Sequence, residues 1–332
     1  MSWLPMLRGQ SPEAADERPW TPEEVAVLAE AVRRAPSVHN TQPWSLRVQG
    51  RAAVLRPRST PELVQHDPDG RDRRMSCGAA VANLAIAMRG LGWAVDVQWH
   101  ADDAERDGDA TVIGTHRLPA TAIDRERRQA IARRVSFRAA FTGRPVPHLA
   151  RAAVVAAATT QATWVEGPAE EHALARLLGY AARANHDDKS YQRELGAWIA
   201  PIPDEGLPED ALPARGVSAT GLATGATRLP DQEQIARWLA QESVLVFSTI
   251  TDGPRDQLLA GEAAERAWLE ATRLGLVASV MTQPLRLSEV RAGLSVELGL
   301  GGVPQLLMRI GYPPAIPVPR ADRRPLPDLF TD

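Results

Sequence analysis

Residues 35 to 44 read Ala35-Pro36-Ser37-Val38-His39-Asn40-Thr41-Gln42-Pro43-Trp44, and the rest of the chain is best read outward from them. On the upstream side Val25, Leu28, Ala29 and Val32 recur at helical spacing, with Glu23 and Glu24 in the first turn where the helix dipole favours acids. A helix therefore runs over residues 21 to 34, capped by Thr21 and stopped near Pro36. On the downstream side Trp44 to Val48 alternates, Gln49-Gly50 signals a turn and Ala53 to Leu55 leads into Pro57, which predicts a β-hairpin. Between helix and hairpin lies a polar loop whose Ser37, Asn40 and Gln42 both donate and accept hydrogen bonds, the equipment needed to read the edge of a heterocycle. The same side chains serve equally well to satisfy loop backbone groups, with Trp44 in the core.

Further out, the pattern mixes helices and strands. Gly78 to Leu91 is Ala-rich and apolar on most faces, as in a central buried helix, and Val95 to Trp99 alternates as a strand. A charged turn over 101–109, a short strand over Thr111 to Ile113 and a basic amphipathic helix over Ile123 to Val135 follow. The second half opens with a helix over Leu149 to Ala158, a short strand over Ala162 to Val165, and one or two helices over Ala169 to Trp198 interrupted near Asn185. Residues 200 to 230 hold many Pro and Gly and read as a long loop, a lid or a mobile excursion. Ser243 to Ile250 is a β-branched run, Gln257 to Leu274 a long helix and Gln305 to Ile310 a buried strand before a Pro- and Arg-rich tail. Setting Gly78 against Gly261 aligns Ala80 with Ala263, Ile86 with Leu269 and Leu91-Gly92 with Leu274-Gly275, so the halves read as a repeat. Residues 35–44 find an echo in 156–164, also between a helix and a strand, but without the Pro, Ser and Asn. The expected division is a flexible leader over 1–20, a first half over 21–120 and a second over 121–332 carrying a candidate lid at 185–230.

Composition narrows the function. With 332 residues, 44% hydrophobic and 24% charged, the chain is an ordinary globular one. A net charge of −3 provides no overall field to recruit nucleic acid or an anionic membrane. The lone Cys77 excludes an internal disulfide and fits a reducing compartment, and no apolar run has the length of a membrane span or a secretory signal, so a cytoplasmic protein is expected. GxGxxG, Walker A, GxSxG and HExxH patterns are missing, and the seven histidines show no metal-ligand spacing, so no metal is expected.

The stretch over 35–44 closely resembles the "APSxxNxQPW" signature of the nitroreductase superfamily, and with its length and duplicated layout the chain is similar to the Acg-type branch. That resemblance implies an α+β fold of antiparallel-dominated sheets flanked by helices, two fused repeats imitating a dimer, and contacts from Pro36, Ser37 and Asn40 to the ring of FMN. A second segment, Arg133-Arg134-Val135-Ser136-Phe137-Arg138, sets two arginines around a hydroxyl, a spacing that forks onto a phosphate, although arginine clusters are often solvated helix faces. It resembles the family's "RxSxR/K" segment, which implies that Arg134, Ser136 and Arg138 hold phosphate, ribityl chain and ring edge. The tail Pro319 to Pro325 resembles a basic "K/R-x-R-x-P" terminus, with Arg323 and Arg324 as phosphate candidates and Arg320 as a substitute. In the segment Leu274 to Pro284 the resemblance puts Met281 and Thr282 near the reactive edge of the flavin, but the Pro-x-Glu-Gly of many members is missing. Since the loop is intact only in the first half and "RRVSFR" only in the second, one FMN per monomeric chain is expected. The implied activity is NAD(P)H-dependent reduction of nitroaromatic, quinone or related acceptors, with no side chain required as nucleophile or acid. The alternatives are an FMN-sequestering or regulatory protein with an occluded site, and a flavin-free interaction protein.

Overall fold

The computed structural model describes residues 18–60, 63–100, 108–199, 203–213, 215–316 and 318–330. α1 (Pro22–Arg33) leads through a loop to β1 (Trp44–Gln49) and β2 (Ala52–Pro57), followed by α2 (Arg71–Gly90), β3 (Trp93–Trp99) and β4 (Ala110–Arg117). α3 (Ala122–Arg133) then crosses to α4 (His148–Ala157) and β5 (Gln161–Trp164). Four helices intervene, α5 (Gly167–Asp187), α6 (Lys189–Ile199), α7 (Val217–Gly221) and α8 (Gln232–Leu239), before β6 (Ser243–Thr249), α9 (Pro254–Arg273), β7 (Val277–Met281), α10 (Ser288–Glu297) and β8 (Val303–Gly311).

The strands form two four-stranded sheets in the orders β1-β2-β4-β3 and β5-β6-β8-β7, and every pair within them is antiparallel. The fold is thus α+β, as expected. Each sheet is reached by the same path, a helix, two strands, a long helix and two more strands, with α10 added between the last two in the second half. The halves differ where β1 meets β2 across a tight turn at Gly50 (φ 60°), whereas α5 to α8 fill the corresponding connection between β5 and β6.

α2 and α9 cross at the centre. A Cβ on Gly78 would sit 1.9 Å from the carbonyl oxygen of Leu258, and one on Gly261 would sit 1.9 Å from that of Met75. Each glycine therefore faces the residue three positions before the other, a reciprocal contact that follows the Gly78–Gly261 alignment. One core lies between the first sheet and α1 and α2, built on Trp44, Leu46, Leu55, Leu84 and Trp93. The second sheet is covered on both faces. Leu245, Phe247, Met308 and Ile310 pack against α9, while Val244, Val246 and Leu307 pack against α5 and α8. Burial on both faces explains why β6 and β8 read as continuous apolar runs with no alternation.

Several sequence-based boundaries shift. The central helix begins at Arg71, two turns before Gly78, because Arg71 is buried there, paired with Asp72 and bonded to Gln305, and does not face solvent. β7 and α10 were not anticipated; their short apolar runs lack a clean period. The stretch read as loop contains α7, and its anchor is the buried Arg309, which pairs with Glu242 (2.5 Å) and donates to Ser218 of α7. Residues 1–17 of the expected leader lie outside the described residues, but its end is packed: Arg18 pairs with Glu24 at 2.7 Å and Trp20 is buried. Most of the charged turn expected over 101–109, residues 101–107, also lies outside the described residues.

Overpacking this crossing is expected to be costly. Gly78→Ala or Gly261→Ala should lower stability by about 3 kcal/mol, at the upper end of overpacking penalties, because the added methyl meets backbone that cannot rotate away. Urea denaturation followed by circular dichroism checks this, with Gly196→Ala, where a Cβ meets nothing within 4 Å, as the control.

Candidate functional site

The loop after α1 holds an unusual backbone. His39, Asn40 and Gln42 all have positive φ (44°, 58° and 47°), a region that non-glycine residues occupy only when their surroundings impose it. The surroundings do so here. The Ser37 hydroxyl accepts from Gln42 N (3.0 Å), Val38 N donates to Ser76 Oγ on α2 (3.1 Å), and Thr41 Oγ1 donates to Val38 O (2.9 Å). Asn40 Nδ2 donates to Asp322 O in the tail (2.8 Å), while Gln42 donates to Asp204 O (2.8 Å) and accepts from Arg324 N (3.0 Å). The loop is therefore clamped between the C-terminal tail and the 203–213 segment.

Beside it lies a cavity of about 310 Å³ lined by Pro36, Ser37, Asn40, Arg134, Ser136, Arg138, Arg320 and Arg323, among others. Residues 134–138 leave the end of α3 in extended form, and Phe137 N donates to Ala278 O (2.9 Å), which pins them along the edge of β7. Arg134 Nη2 donates to Arg34 O (2.8 Å) and Arg323 Nη1 to Ala35 O (2.9 Å), so both guanidiniums also satisfy free carbonyls at the end of α1. Arg138 has no hydrogen bond or ion pair among the described residues and lines the cavity half-buried. The acid close to this group is Glu265 of α9, fully buried, 3.3 Å from Arg134 Nε. Arg134 also stacks over Trp268, 4.5 Å from the ring centroid, and its Nη1 has no hydrogen-bond partner among the described residues.

Charge is unbalanced at this place. Burial, reinforced by the neighbouring Arg134, lowers Arg138 to about 10 and Arg323 to about 9. Burial likewise pushes the Glu265 carboxyl up to about 7 against the pull of Arg134. Desolvated cations with spare donors are stabilised by an anion that accepts forked hydrogen bonds.

A second cavity of about 100 Å³ shares Pro36, Ser37, Ser136, Arg138 and Leu207 with the first. Its walls come from the helix crossing, Met75, Ala79, Gly261, Ala264 and Trp268, and from Ser279 and Thr282 at the end of β7. The close approach at Gly261 keeps this wall flat. Polar atoms without a hydrogen bond among the described residues border it: Nδ1 of His39, both carboxyl oxygens of Glu265, which forms an ion pair with Arg134, and Nε1 of Trp268. Leu207 and Leu222, from the connection between β5 and β6, line this smaller cavity too, and Pro208 and Ala211 line the larger one. A basic chamber opening into a narrow, flat-walled slot suits an elongated ligand with an anionic end and a planar end. Among the described residues no group of three or more His, Cys, Asp or Glu is placed to hold a metal, and no helix is long and apolar enough to cross a membrane.

No family model matches the chain. The Mycobacterium tuberculosis protein named "Putative NAD(P)H nitroreductase Rv3131" is 33% identical over 334 residues, covering 96% of this chain and 94% of that one. The chain belongs to the nitroreductase superfamily. Two further proteins of the same organism extend the likeness: "Uncharacterized protein Rv3127", 30% identical over 90% of each chain, and acg, named in the same way as Rv3131, 26% identical over 90% of this chain and 92% of its own. The match to acg makes this an Acg-like member. Among solved structures, a Bacteroides fragilis nitroreductase with bound FMN aligns at 14% identity and a TM-score of 0.37 over 60% of this chain and 95% of its own. The FMN-dependent nitroreductase NfnB of Mycobacterium smegmatis, solved in complex with NADPH, aligns at 17% and 0.37, over 60% of this chain and 96% of its own.

In this nitroreductase-superfamily chain, Pro36, Ser37, Asn40, Arg134, Ser136, Arg138 and Arg323 converge on the larger cavity although they come from three distant segments, and Thr282 lies on the smaller one. Two expected residues do not join them. Met281 is buried on the other side of β7, with Gly221 of α7 beside it, because alternation along the strand turns it away from Val280 and Thr282. Arg324 points outward to an ion pair with Glu205, leaving Arg323 and Arg320 on the cavity. Glu265, Trp268, His39 and Asp72 were missed. For α9 a signal was present, since Gly261, Ala264, Glu265 and Trp268 share one helical face, and an acid in that apolar stripe calls for a partner.

Glu265 makes stability depend on pH. Its carboxyl titrates near 7 when folded against 4.5 as the ordinary value, so between these values the folded state binds more protons and stability falls as pH rises. In the ligand-free protein the loss should be on the order of 2 to 3 kcal/mol from pH 4.5 to 7. Urea titrations at several pH values should show this component disappear in Glu265→Gln.

Proposed function

We propose that the joined cavities bind one FMN per chain and that the protein is an NAD(P)H-dependent reductase of small aromatic acceptors such as nitroaromatics or quinones. The observation that carries this reading is Arg138, half-buried where the two cavities meet and without a partner among the described residues. Arg134, Arg138 and Arg323 suit the phosphate, Ser136 the ribityl chain, and the slot beside Pro36, Ser37 and Trp268 the ring. When bound, FMN supplies hydride transfer; the residues of the chain bind it, orient it and keep water away. Family membership and the names of the relatives support the reading. Identical strand order and the reciprocal glycines support two fused halves, 21–120 and 121–332, acting as a monomeric pseudo-dimer. Two FMN per chain would overturn that arrangement. A cytoplasmic location fits the single buried thiol of Cys77.

A second reading, FMN sequestration or regulation, is favoured by one observation. Leu207, Pro208 and Ala211 lie over the cavities, and their segment is fastened by Asp204 O to Gln42 and by Glu205 to Arg324. A nicotinamide must come within roughly 3 to 3.5 Å of the ring to transfer hydride, so turnover requires this lid to move.

Absorbance spectra under anaerobic conditions separate the readings. Flavin bands that NADPH or NADH bleaches establish a reductase, bands that persist favour sequestration, and failure to take up FMN removes both. Arg138→Ala should weaken FMN binding by about 1.5 to 3 kcal/mol, the scale of a lost charged hydrogen bond, in a fluorescence titration.

A further inference from the structure

At the rim of the smaller cavity three buried side chains form a line. His39 Nε2 lies 3.2 Å from His66 Nδ1, and His66 Nε2 lies 2.9 Å from Asp72 Oδ2. The other Asp72 oxygen accepts from Arg71 Nη1 (3.1 Å), which holds the carboxylate in place. All three are at most 5% exposed, His39 and Asp72 both line the cavity, and His39 Nδ1 has no hydrogen-bond partner among the described residues.

Hydrogen-bond polarity follows from the carboxylate. Asp72 only accepts, so His66 carries its proton on Nε2; in the neutral state His66 Nδ1 then accepts from His39 Nε2–H, and His39 shows the cavity a lone pair on Nδ1. With one proton added, His66 becomes an imidazolium that donates both to Asp72 and to His39 Nε2, and His39 shows the cavity an N–H. The polarity that His39 presents is thus set by the protonation of a residue one step away.

We propose that His39, His66 and Asp72 are a proton relay serving the reduction of an acceptor's oxygen at the rim of the smaller cavity, beside the bound ring, an inference that rests on the reductase reading above. A quinone takes one hydride, supplied by the reduced flavin cofactor, and one proton to become a hydroquinone. His39 Nδ1–H gives its proton to the acceptor oxygen as the O–H bond forms, His66 Nδ1–H passes to His39 Nε2, and the relay goes from one positive charge to none. His39 thereby ends with a lone pair facing the new O–H, the complementary polarity, and no electrons leave the protein side chains.

Charged groups face the line at both ends. Asp72 lies on one side together with the half-buried Asp67 of the preceding turn, whose carboxyl is pushed up to about 6 by burial and by Asp72, and Glu194 of α6 accepts from the backbone N–H groups of Gln65 (2.9 Å) and His66 (2.8 Å). On the cationic side are Arg71, beside Asp72, and Arg286, which packs over the Tyr191 ring that stacks on His66 and donates to Gln65 O (3.3 Å). His39 instead faces Arg138, and burial first and His66 second hold its own protonation well below the usual histidine range.

The test uses the full chain with nitrogen-15-labelled histidine. In the FMN-free protein, magnetic resonance should find the His39 lone pair on Nδ1 at high pH and its tautomer should invert as His66 titrates; in His66→Phe, which keeps the stacking on Tyr191, the inversion should vanish. A His39 ring that keeps one tautomer through the titration of His66 overturns the relay. With FMN bound and reduced, the rate of reoxidation by benzoquinone should fall as pH rises through that titration. His39→Gln and Asp72→Asn, measured at saturating FMN, should cost about a hundredfold at the low-pH plateau and flatten the profile, the scale of general acid catalysis. An unaltered profile in both variants also overturns the relay. If the chain takes up no FMN, the reductase reading fails on its own and the resonance measurement still decides the relay.

Discussion

Contact between the backbones of α2 and α9 at Gly78 and Gly261 is the constraint on which the structure depends. With no Cβ at either position the two helices approach until carbonyls occupy the places where methyl groups would be. This brings the two cores together along one shared seam, and it puts the face of α9 bearing Glu265 and Trp268 beside Met75 and Ala79 of α2. A wider crossing would separate these walls and open the slot between them. The site is thus a consequence of helix packing before it is a consequence of any polar residue.

Upon that frame, charge is placed at a cost. Desolvating the buried Arg134 and the half-buried Arg138 and Arg323 beside the Glu265 carboxyl is unfavourable in the absence of a ligand, which lowers the arginine and raises the Glu265 protonation equilibria. The backbone strain of the 35–44 loop adds to it, since three non-glycine residues sit at positive φ. Both features are concentrated at one place, the meeting point of first half, second half and tail. A structure that holds an unpaired Arg138 beside two further desolvated cations, with strained backbone at the same seam, is organised to receive an anion there.

Much of this was legible in order along the chain. The helix ended by Pro36, the hairpin at Gly50 and the alignment of the two glycines all rest on local spacing, and the two arginine segments stand out by composition. What local spacing missed has physical reasons. β7 and α10 are too short and too evenly apolar to show a period, and α7 is held by a buried ion pair of Arg309 and Glu242 that no neighbouring residue announces. Met281 and Thr282 are adjacent in sequence, yet strand alternation sends one into the core and the other to the cavity. Arg323 and Arg324 are likewise neighbours separated by direction, and the acid that draws Arg324 outward, Glu205, lies 119 residues away.

By itself the sequence determined the class of elements, the family signature over 35–44 and the residue types suited to a phosphate, because these depend on periodicity and on chemistry carried within a few residues. Tertiary structure alone decided which arginines share a cavity, that Glu265 and Trp268 complete it, that the 203–213 segment lies over it, and that His39, His66 and Asp72 stand in line. Those facts depend on distances between segments far apart in the chain, set by how closely two helices pack and by which side of a strand each residue faces.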